Sequence, residues 1–293
     1  MGINQSVLNL LIQLRETGAI KNHASVMEIG AQQISNCFLA SKHQLNEIGK
    51  LFNISDPHCL PDPTPTHITS GTLEHLNVNA PLASKFWKWL GFHYASIDID
   101  GSIDSVPIDL NFDSIPRKIA RKFDIVTNLG TTEHVANQLN AFKIIHELTA
   151  KNGIMIHDLP SQGMFNHGLI NYNPKFFWML ARSNGYEWVY FNYMSDLAAY
   201  TLPQNIIDNV KPFNAEIIDH IKDYTASDCS MLVVFRKIYH SPFVPPLDVD
   251  SGTQTTNKIL KKRYWSVFKK RAFIKYRIYN AIRKRLKSFI SIS

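Results

Sequence analysis

The stretch Ser25-Val26-Met27-Glu28-Ile29-Gly30-Ala31-Gln32-Gln33 decides how the chain reads. A short apolar run, Val26 and Met27, leads into Glu28, Ile29 and Gly30, and helix-compatible residues follow. The pattern predicts strand, tight turn, helix. In open α/β sheets such a turn lies at the carboxyl end of a strand, where ligands bind, and glycine lets the backbone approach a ligand closely. Glu28 can accept a hydrogen bond from a cationic group or a hydroxyl. Ala31 and Gln32 stand where a full glycine-rich loop has further glycines, so an ordinary strand-to-helix turn also fits.

Further strands follow the first. Tyr94 to Asp100 is an apolar strand ending in carboxylates, as a ribose-binding second strand would be. Phe123 to Asn128 is another, and Gly153 to His157 one more, preceded by a helix and by Lys151-Asn152-Gly153. Strand and helix alternate, which predicts a parallel sheet.

With these segments in order, the chain resembles the class I S-adenosylmethionine-dependent methyltransferases. The carriers are Glu28-Ile29-Gly30, Ile97-Asp98-Ile99, Pro107-Ile108-Asp109-Leu110-Asn111, Phe123-Asp124-Ile125-Val126 with Gly130-Thr131-Thr132-Glu133-His134-Val135, and Leu148 to Ile156. The resemblance covers about residues 20 to 195 and the strand near 230 to 237. The set is specific; each segment alone is not. It implies a Rossmann-like, doubly wound α/β fold with a seven-stranded, mostly parallel sheet. Tyr186 to Tyr193 and Met231 to Lys237 then make the last two strands, the final one inserted antiparallel, a pairing that sets this family apart from nicotinamide-binding Rossmann enzymes. A helical insertion and a basic C-terminal helical tail complete the expected architecture.

Three cysteines, Cys37, Cys59 and Cys229, are too few and too scattered for a disulfide framework or a zinc set, so reduced intracellular thiols are expected. There is no charged leader with an apolar core and no apolar run near twenty residues, so a cytoplasmic protein is expected. Charge is unevenly placed. Of 31 lysines and arginines, 13 lie beyond Asp250, where no acidic residue occurs; the rest of the chain sets 18 against 24 acidic residues, a formal charge of −6. The basic character belongs to the tail, and the body does not read as a polyanion-binding domain.

Residues 5 to 17 carry Val7, Leu8, Leu11, Ile12 and Leu14 at helical spacing, a helix to pack on the sheet. Asp98 stands 70 positions after Glu28, against about 20 in a dinucleotide-binding unit. An insertion, about residues 36 to 80 and containing Pro61, Pro63 and Pro65, is therefore expected as a lid or a surface excursion, and Leu82 to Phe92 returns the chain to the sheet. Residues 1 to 240 make the methyltransferase-like domain, 241 to 257 with Pro242, Pro245, Pro246 and Gly252 a linker, and 258 to 293 the tail. Trp265, Phe268, Ala272, Tyr276, Tyr279, Ile282, Leu286 and Ile290 recur at three- and four-residue spacing among the tail's basic residues. Such a helix suits an anionic membrane surface, nucleic-acid phosphates, or packing on its own domain or another subunit.

For the cofactor S-adenosylmethionine the resemblance implies contacts from Glu28, Gly30, Gln32, Asp98, Asp109, Leu110, Asn128 and Gly130. Asp98, rather than Asp100, would accept from the ribose hydroxyls, and Asp109 with the Leu110 backbone would meet the adenine. Thr131 and Thr132 can cap a helix carrying Val135, Leu139, Phe142, Ile145 and Leu148, which places Glu133 and His134 near the transferred methyl. The strand Ile154 to Ile156 runs into His157-Asp158-Leu159-Pro160 and a polar loop with Ser161, Gln162, His167, Asn171, Tyr172 and Asn173, the expected acceptor wall. A helix from Pro174 to Asn184 should end at Gly185. His134, His157 and His167 are the candidate general bases. No metal site is expected, because Asn128-Leu129-Gly130 stands where catechol-type enzymes of this family supply metal-binding carboxylates and an amide.

The expected activity is methyl transfer to an oxygen or nitrogen of a small-molecule or saccharide-like acceptor. The alternatives are a nucleic-acid methyltransferase, whose Asn/Asp-Pro-Pro-aromatic motif the chain lacks after the fourth strand, and a non-catalytic scaffold recruiting partners through the tail.

Overall fold

A computed structural model describes residues 2–34, 42–54, 82–99, 104–119, 122–164, 166–195 and 229–248, with 258, 259 and 262. Asp100 and Gly101, the proline-rich insertion, residues 196 to 228 between the last two strands, Cys37 and Cys59, and nearly all of the tail lie outside these residues. The described elements are α1 (Gln5–Glu16), β1 (Ser25–Ile29), α2 (Lys42–Leu51), α3 (Ala83–Trp89), β2 (His93–Asp98), β3 (Ser105–Pro107) and β4 (Phe123–Leu129). After a 3-10 turn at Thr132–His134 come α4 (Gln138–Leu148), β5 (Thr149–Pro160), α5 (Pro174–Asn184), β6 (Glu187–Ser195) and β7 (Cys229–Arg236).

The seven strands form one sheet in the order β3-β2-β1-β4-β5-β7-β6. Only β7 runs antiparallel, wedged between β5 and β6. This is the doubly wound, Rossmann-like arrangement expected from the sequence, down to the inserted last strand. Central strands buried on both faces read as near-continuous apolar runs, interrupted here by buried Glu28, Asn128 and His157. Accordingly Met27, Val126, Met155 and Val233 pack on the α4 and α5 side, and Val26, Ile125, Ile154 and Val234 on the α1 to α3 side.

Helix ends follow local chemistry. The Asn4 side chain accepts from the Ser6 and Val7 amides at 3.0 Å and starts α1, whose apolar stripe is buried. Helix α5 begins at Pro174, with Asn173 accepting from the Lys175 amide, and ends at Gly185, whose φ of 64° no β-branched residue adopts cheaply.

Several sequence expectations shift. Helix does not follow Gly30 directly: Gln33 pairs with Leu82 and Ile34 with Ile3, which holds residues 33 and 34 extended. Neither Thr131 nor Thr132 caps α4. Gln138 donates to the Thr132 and Val135 carbonyls, the chain turns twice, and Asn137 caps the helix by accepting from the Asn140 amide at 3.2 Å. Leu139, placed in the apolar stripe, is consequently 54% exposed. Strand β5 runs on to Pro160, because β7 pairs with it through Pro160, so His157 and Asp158 sit inside the sheet. Ser241 to Asp248, the front of the expected linker, lies on the body: His146 bonds the Ser241 carbonyl, and Asn184 exchanges hydrogen bonds with Val244.

Candidate active site

Between β1 and β4 the chain order reverses, the place where open α/β sheets bind ligands. A cleft of about 510 Å³ opens there, at the carboxyl ends of β1, β2 and β4. Its walls include Gly30, Ala31, Gln32, Ile97, Asp98, Ile99, Ile108, Asp109, Leu110, Asn111, Gly130, Thr131, His134 and Val135.

The floor is the turn after β1. Gly30, at φ 79°, donates to the Ile97 carbonyl at 2.8 Å, and the next amide, that of Ala31, donates to Asp98 Oδ2 at 2.7 Å. Thr131 closes the other side: its hydroxyl donates to the Ile29 carbonyl at 2.7 Å and accepts from Gln32 Nε2 at 3.1 Å. The loops after β1 and β4 meet so closely that a Cβ on Gly30 would collide with the Thr131 hydroxyl.

Glu28 lies beneath this floor, wholly buried. Its carboxylate accepts from the Gln32 amide at 3.0 Å, Tyr94 Oη at 2.8 Å and Trp87 Nε1 at 3.2 Å. Burial pushes its carboxyl up to about 7, against the pull of those three donors. Glu28 therefore shapes the loop from below and does not line the cleft. Sequence reading missed Trp87 and Tyr94 as its partners, because only the fold brings α3 under β1.

The far wall follows β3. Asp109 Oδ1 accepts from the Asn111 amide at 2.8 Å, and Asn137 and Asn140 of the α4 start hold the Asn111 and Leu110 backbone. Ile99, 65% exposed, stands beside Ile108 and Leu110, so this end offers apolar surface next to the Asp98 carboxylate.

At the other end stand Glu133, His134 and His167. The His134 Nε2 is 3.9 Å and the His167 Nε2 3.6 Å from Glu133 Oε1, with the two rings 5.7 Å apart. Glu133 is wholly buried, and neither of its carboxylate oxygens has a hydrogen-bond partner among the described residues. Burial pushes this carboxyl up to about 7, with buried Asp158 adding to the effect. Burial, and then the neighbouring His167, lower the His134 pKa, which favours its neutral ring.

Gly30, Gln32, Asp98, Asp109, Leu110, Gly130 and His134 thus share one cleft, and His167 stands beside His134 without lining it. Asn128 and His157 stand apart. Asn128 is buried, its Oδ1 accepting from the Thr132 amide at 3.2 Å and its Nδ2 facing Thr132 Oγ1 and His157 Nδ1. That orientation makes His157 Nδ1 an acceptor and puts the ring proton on Nε2. Burial among Phe142, Phe177 and Phe235 pushes the His157 pKa down to about 3.

No protein-family model matches the chain, and no curated protein matches its sequence. Among solved structures, an S-adenosylmethionine-dependent methyltransferase from Archaeoglobus fulgidus aligns over 78% of this chain and 94% of its own, at 11% identity and a TM-score of 0.39. The N-methyltransferase NodS from Bradyrhizobium japonicum aligns over 80% and 96%, at 13% identity and a TM-score of 0.37. The [4+2]-cyclase SpnF aligns over 80% and 82%, at 11% identity and a TM-score of 0.38. Likenesses this distant assign neither family nor activity. The fold class rests on the chain's own strand order.

Proposed function

We propose that the protein binds S-adenosylmethionine in the β1–β2–β4 cleft and transfers its methyl group to an oxygen or nitrogen of a small-molecule acceptor, saccharides included. The observation that carries this reading is the cleft itself: a carboxylate at the end of β2, apolar Ile99 and Ile108 beside it, and the close-set Gly30 and Thr131 turns, all at the point where strand order reverses.

The donor set fits the cofactor. Asp98 has the chemistry to accept from two vicinal ribose hydroxyls, charge-assisted bonds that a neutral side chain does not match. Ile99, Ile108 and Leu110 suit a flat adenine, with Asp109 and Asn111 at its edge. Gly30, Gln32 and Gly130 leave room for the amino-acid end. The bound cofactor supplies an electrophilic methyl carbon on a sulfonium. The protein's part is to align an acceptor with that carbon and to take a proton where the nucleophile carries one. His134, held neutral, and His167 stand where such a proton would be taken. Buried His157 does not, and is left out of the site.

Thermal-shift titration with S-adenosylmethionine, S-adenosylhomocysteine and NAD tests the reading. Stabilisation by the first two alone supports it. Stabilisation by NAD alone would replace it with a dinucleotide-binding one. Product analysis against a panel of hydroxylated and amine acceptors then identifies the methylated atom.

A further inference from the structure

We propose that Glu133, His134 and His167 form a binding site for a divalent first-row transition-metal ion, of the Zn²⁺ type, at the acceptor end of the cleft. The three side chains each present a ligand atom, and these atoms all lie within 4.8 Å of one another. Nitrogen and oxygen ligands at about 2.0–2.2 Å from a tetrahedral ion are separated by about 3.3–3.6 Å, so the 3.6 and 3.9 Å spacings from Glu133 need little closure, and the ligand nitrogens of the two imidazoles, within 4.8 Å of each other, move together by about an ångström at most.

The independent sign is the Glu133 carboxylate. A wholly buried acid with both oxygens unbonded among the described residues is costly, because an unpaired charge away from water must be neutralised. A cation shared with two imidazoles meets that need and uses the ligand types that suit zinc and its neighbours. The surrounding backbone is built to hold the set together. The Leu169 and Ile170 amides donate to the Glu133 carbonyl at 2.8 and 3.1 Å, which docks the His167 loop on the Glu133 turn. Gly168 keeps this approach unstrained, since a Cβ there would stand 3.0 Å from Glu133 Cγ and 3.1 Å from its carbonyl oxygen. The two residues come from turns more than thirty positions apart in sequence, which is why the spacing of ligand types along the chain did not point to a metal.

Three protein ligands leave a coordination position open, as in catalytic rather than structural sites. His134 also lines the cleft, so an ion held there would lie within reach of the proposed acceptor. On the methyl-transfer reading, on which this part rests, an acceptor hydroxyl takes the open position. Coordination lowers its pKa and its proton leaves to solvent. The resulting oxygen forms the new C–O bond as the C–S bond breaks, the electron pair passing to sulfur to leave a neutral thioether. In the loaded protein His134 and His167 serve as ligands rather than bases, and the ion acts as the Lewis acid that lets the hydroxyl lose its proton to solvent.

The test uses tag-free, chelator-stripped full-length protein titrated with Co²⁺, followed by visible absorption, and with Zn²⁺, followed by calorimetry. The expected result is saturation at a single ion per chain with the intense bands of a low-symmetry Co²⁺ site. Glu133→Gln and His167→Ala should each weaken binding at least tenfold. Gly168→Ala, which removes no ligand, should weaken it as well by lifting the loop. Circular dichroism establishes that each variant is folded, and His134→Ala, an exposed-side substitution, serves if a buried one is not. No saturable binding by folded wild type, or unchanged binding in the ligand variants, overturns the site. Titration with S-adenosylmethionine on the same samples separates the two ideas: metal binding without cofactor binding refutes the methyl-transfer role and leaves the site, and cofactor binding without metal does the reverse.

Discussion

Gly30→Ala tests whether the close meeting of the β1 and β4 loops builds the cleft floor. Gly30 sits at φ 79°, where an alanine costs about 1–2 kcal/mol. Its new Cβ would also collide with the Thr131 hydroxyl. Moving Thr131 aside breaks its bond to the Ile29 carbonyl and the one from Gln32, at about 1 kcal/mol each. The expected loss is about 3–4 kcal/mol, within the stability of an ordinary domain. Urea titration should show a lower midpoint at unchanged slope. Thr131→Ala alone should cost about 2 kcal/mol for the same two hydrogen bonds. In the Gly30→Ala background it should cost almost nothing, since those bonds are already gone, giving a coupling of about 2 kcal/mol. A Gly30→Ala loss below about 1 kcal/mol, or additive losses in the double variant, would refute the packing described for this floor.

Other outcomes follow from the same geometry. Asn137→Ala removes the α4 cap and the hold on the Asn111 carbonyl, and should lower stability by about 1 kcal/mol in denaturant titration, with weaker cofactor binding alongside. Glu133 has its carboxyl raised from 4.5 to about 7, facing Asp158, His134 and His167. The folded state thus holds that proton more tightly, and the stability it confers is present below about pH 4.5 and lost as pH rises to about 7. In chelator, Glu133→Gln should flatten that decline by about 3 kcal/mol, leaving the similar contribution of Glu28; an unchanged pH profile would contradict the burial argument. His157 acts in the opposite sense. Its pKa falls from 6.5 to about 3, so stability is lost as pH drops through that window, and His157→Phe should make the acid limb shallower.

Much of the fold was legible because strands buried on both faces write themselves as apolar runs. Ser25 to Ile29, Phe123 to Leu129 and Met231 to Phe235 are such runs, and the helix from Pro174 to Gly185 carries both of its end signals in sequence. The Gly30, Asp98 and Asp109 set was legible for a related reason: each lies at or just past a strand end, so chain order alone brings them to one sheet edge. Other features depend on pairings between distant segments. The start of α4 was misplaced because Gln138 spends its side chain on the preceding turn, which leaves Asn137 as the cap. His157 read as a histidine at a strand end, open to the acceptor, because nothing local says that β7 extends β5 through Pro160. The Glu133–His167 approach depends on Gly168, whose small size signals nothing until its neighbour is known. The tail's expected partners, an anionic membrane or nucleic acid, fall outside the described residues, among which no helix is long and apolar enough to cross a membrane.

On the proposed reading, the β1–β2–β4 cleft holds S-adenosylmethionine through Asp98. Calorimetric titration of wild type and Asp98→Ala addresses it most directly. Loss of two charge-assisted hydrogen bonds, at about 1.5 kcal/mol or more each, predicts saturable wild-type binding that weakens roughly a hundredfold or more in the variant. Folded wild-type protein that binds neither S-adenosylmethionine nor S-adenosylhomocysteine, or an Asp98→Ala variant that binds as tightly as wild type, would overturn that reading.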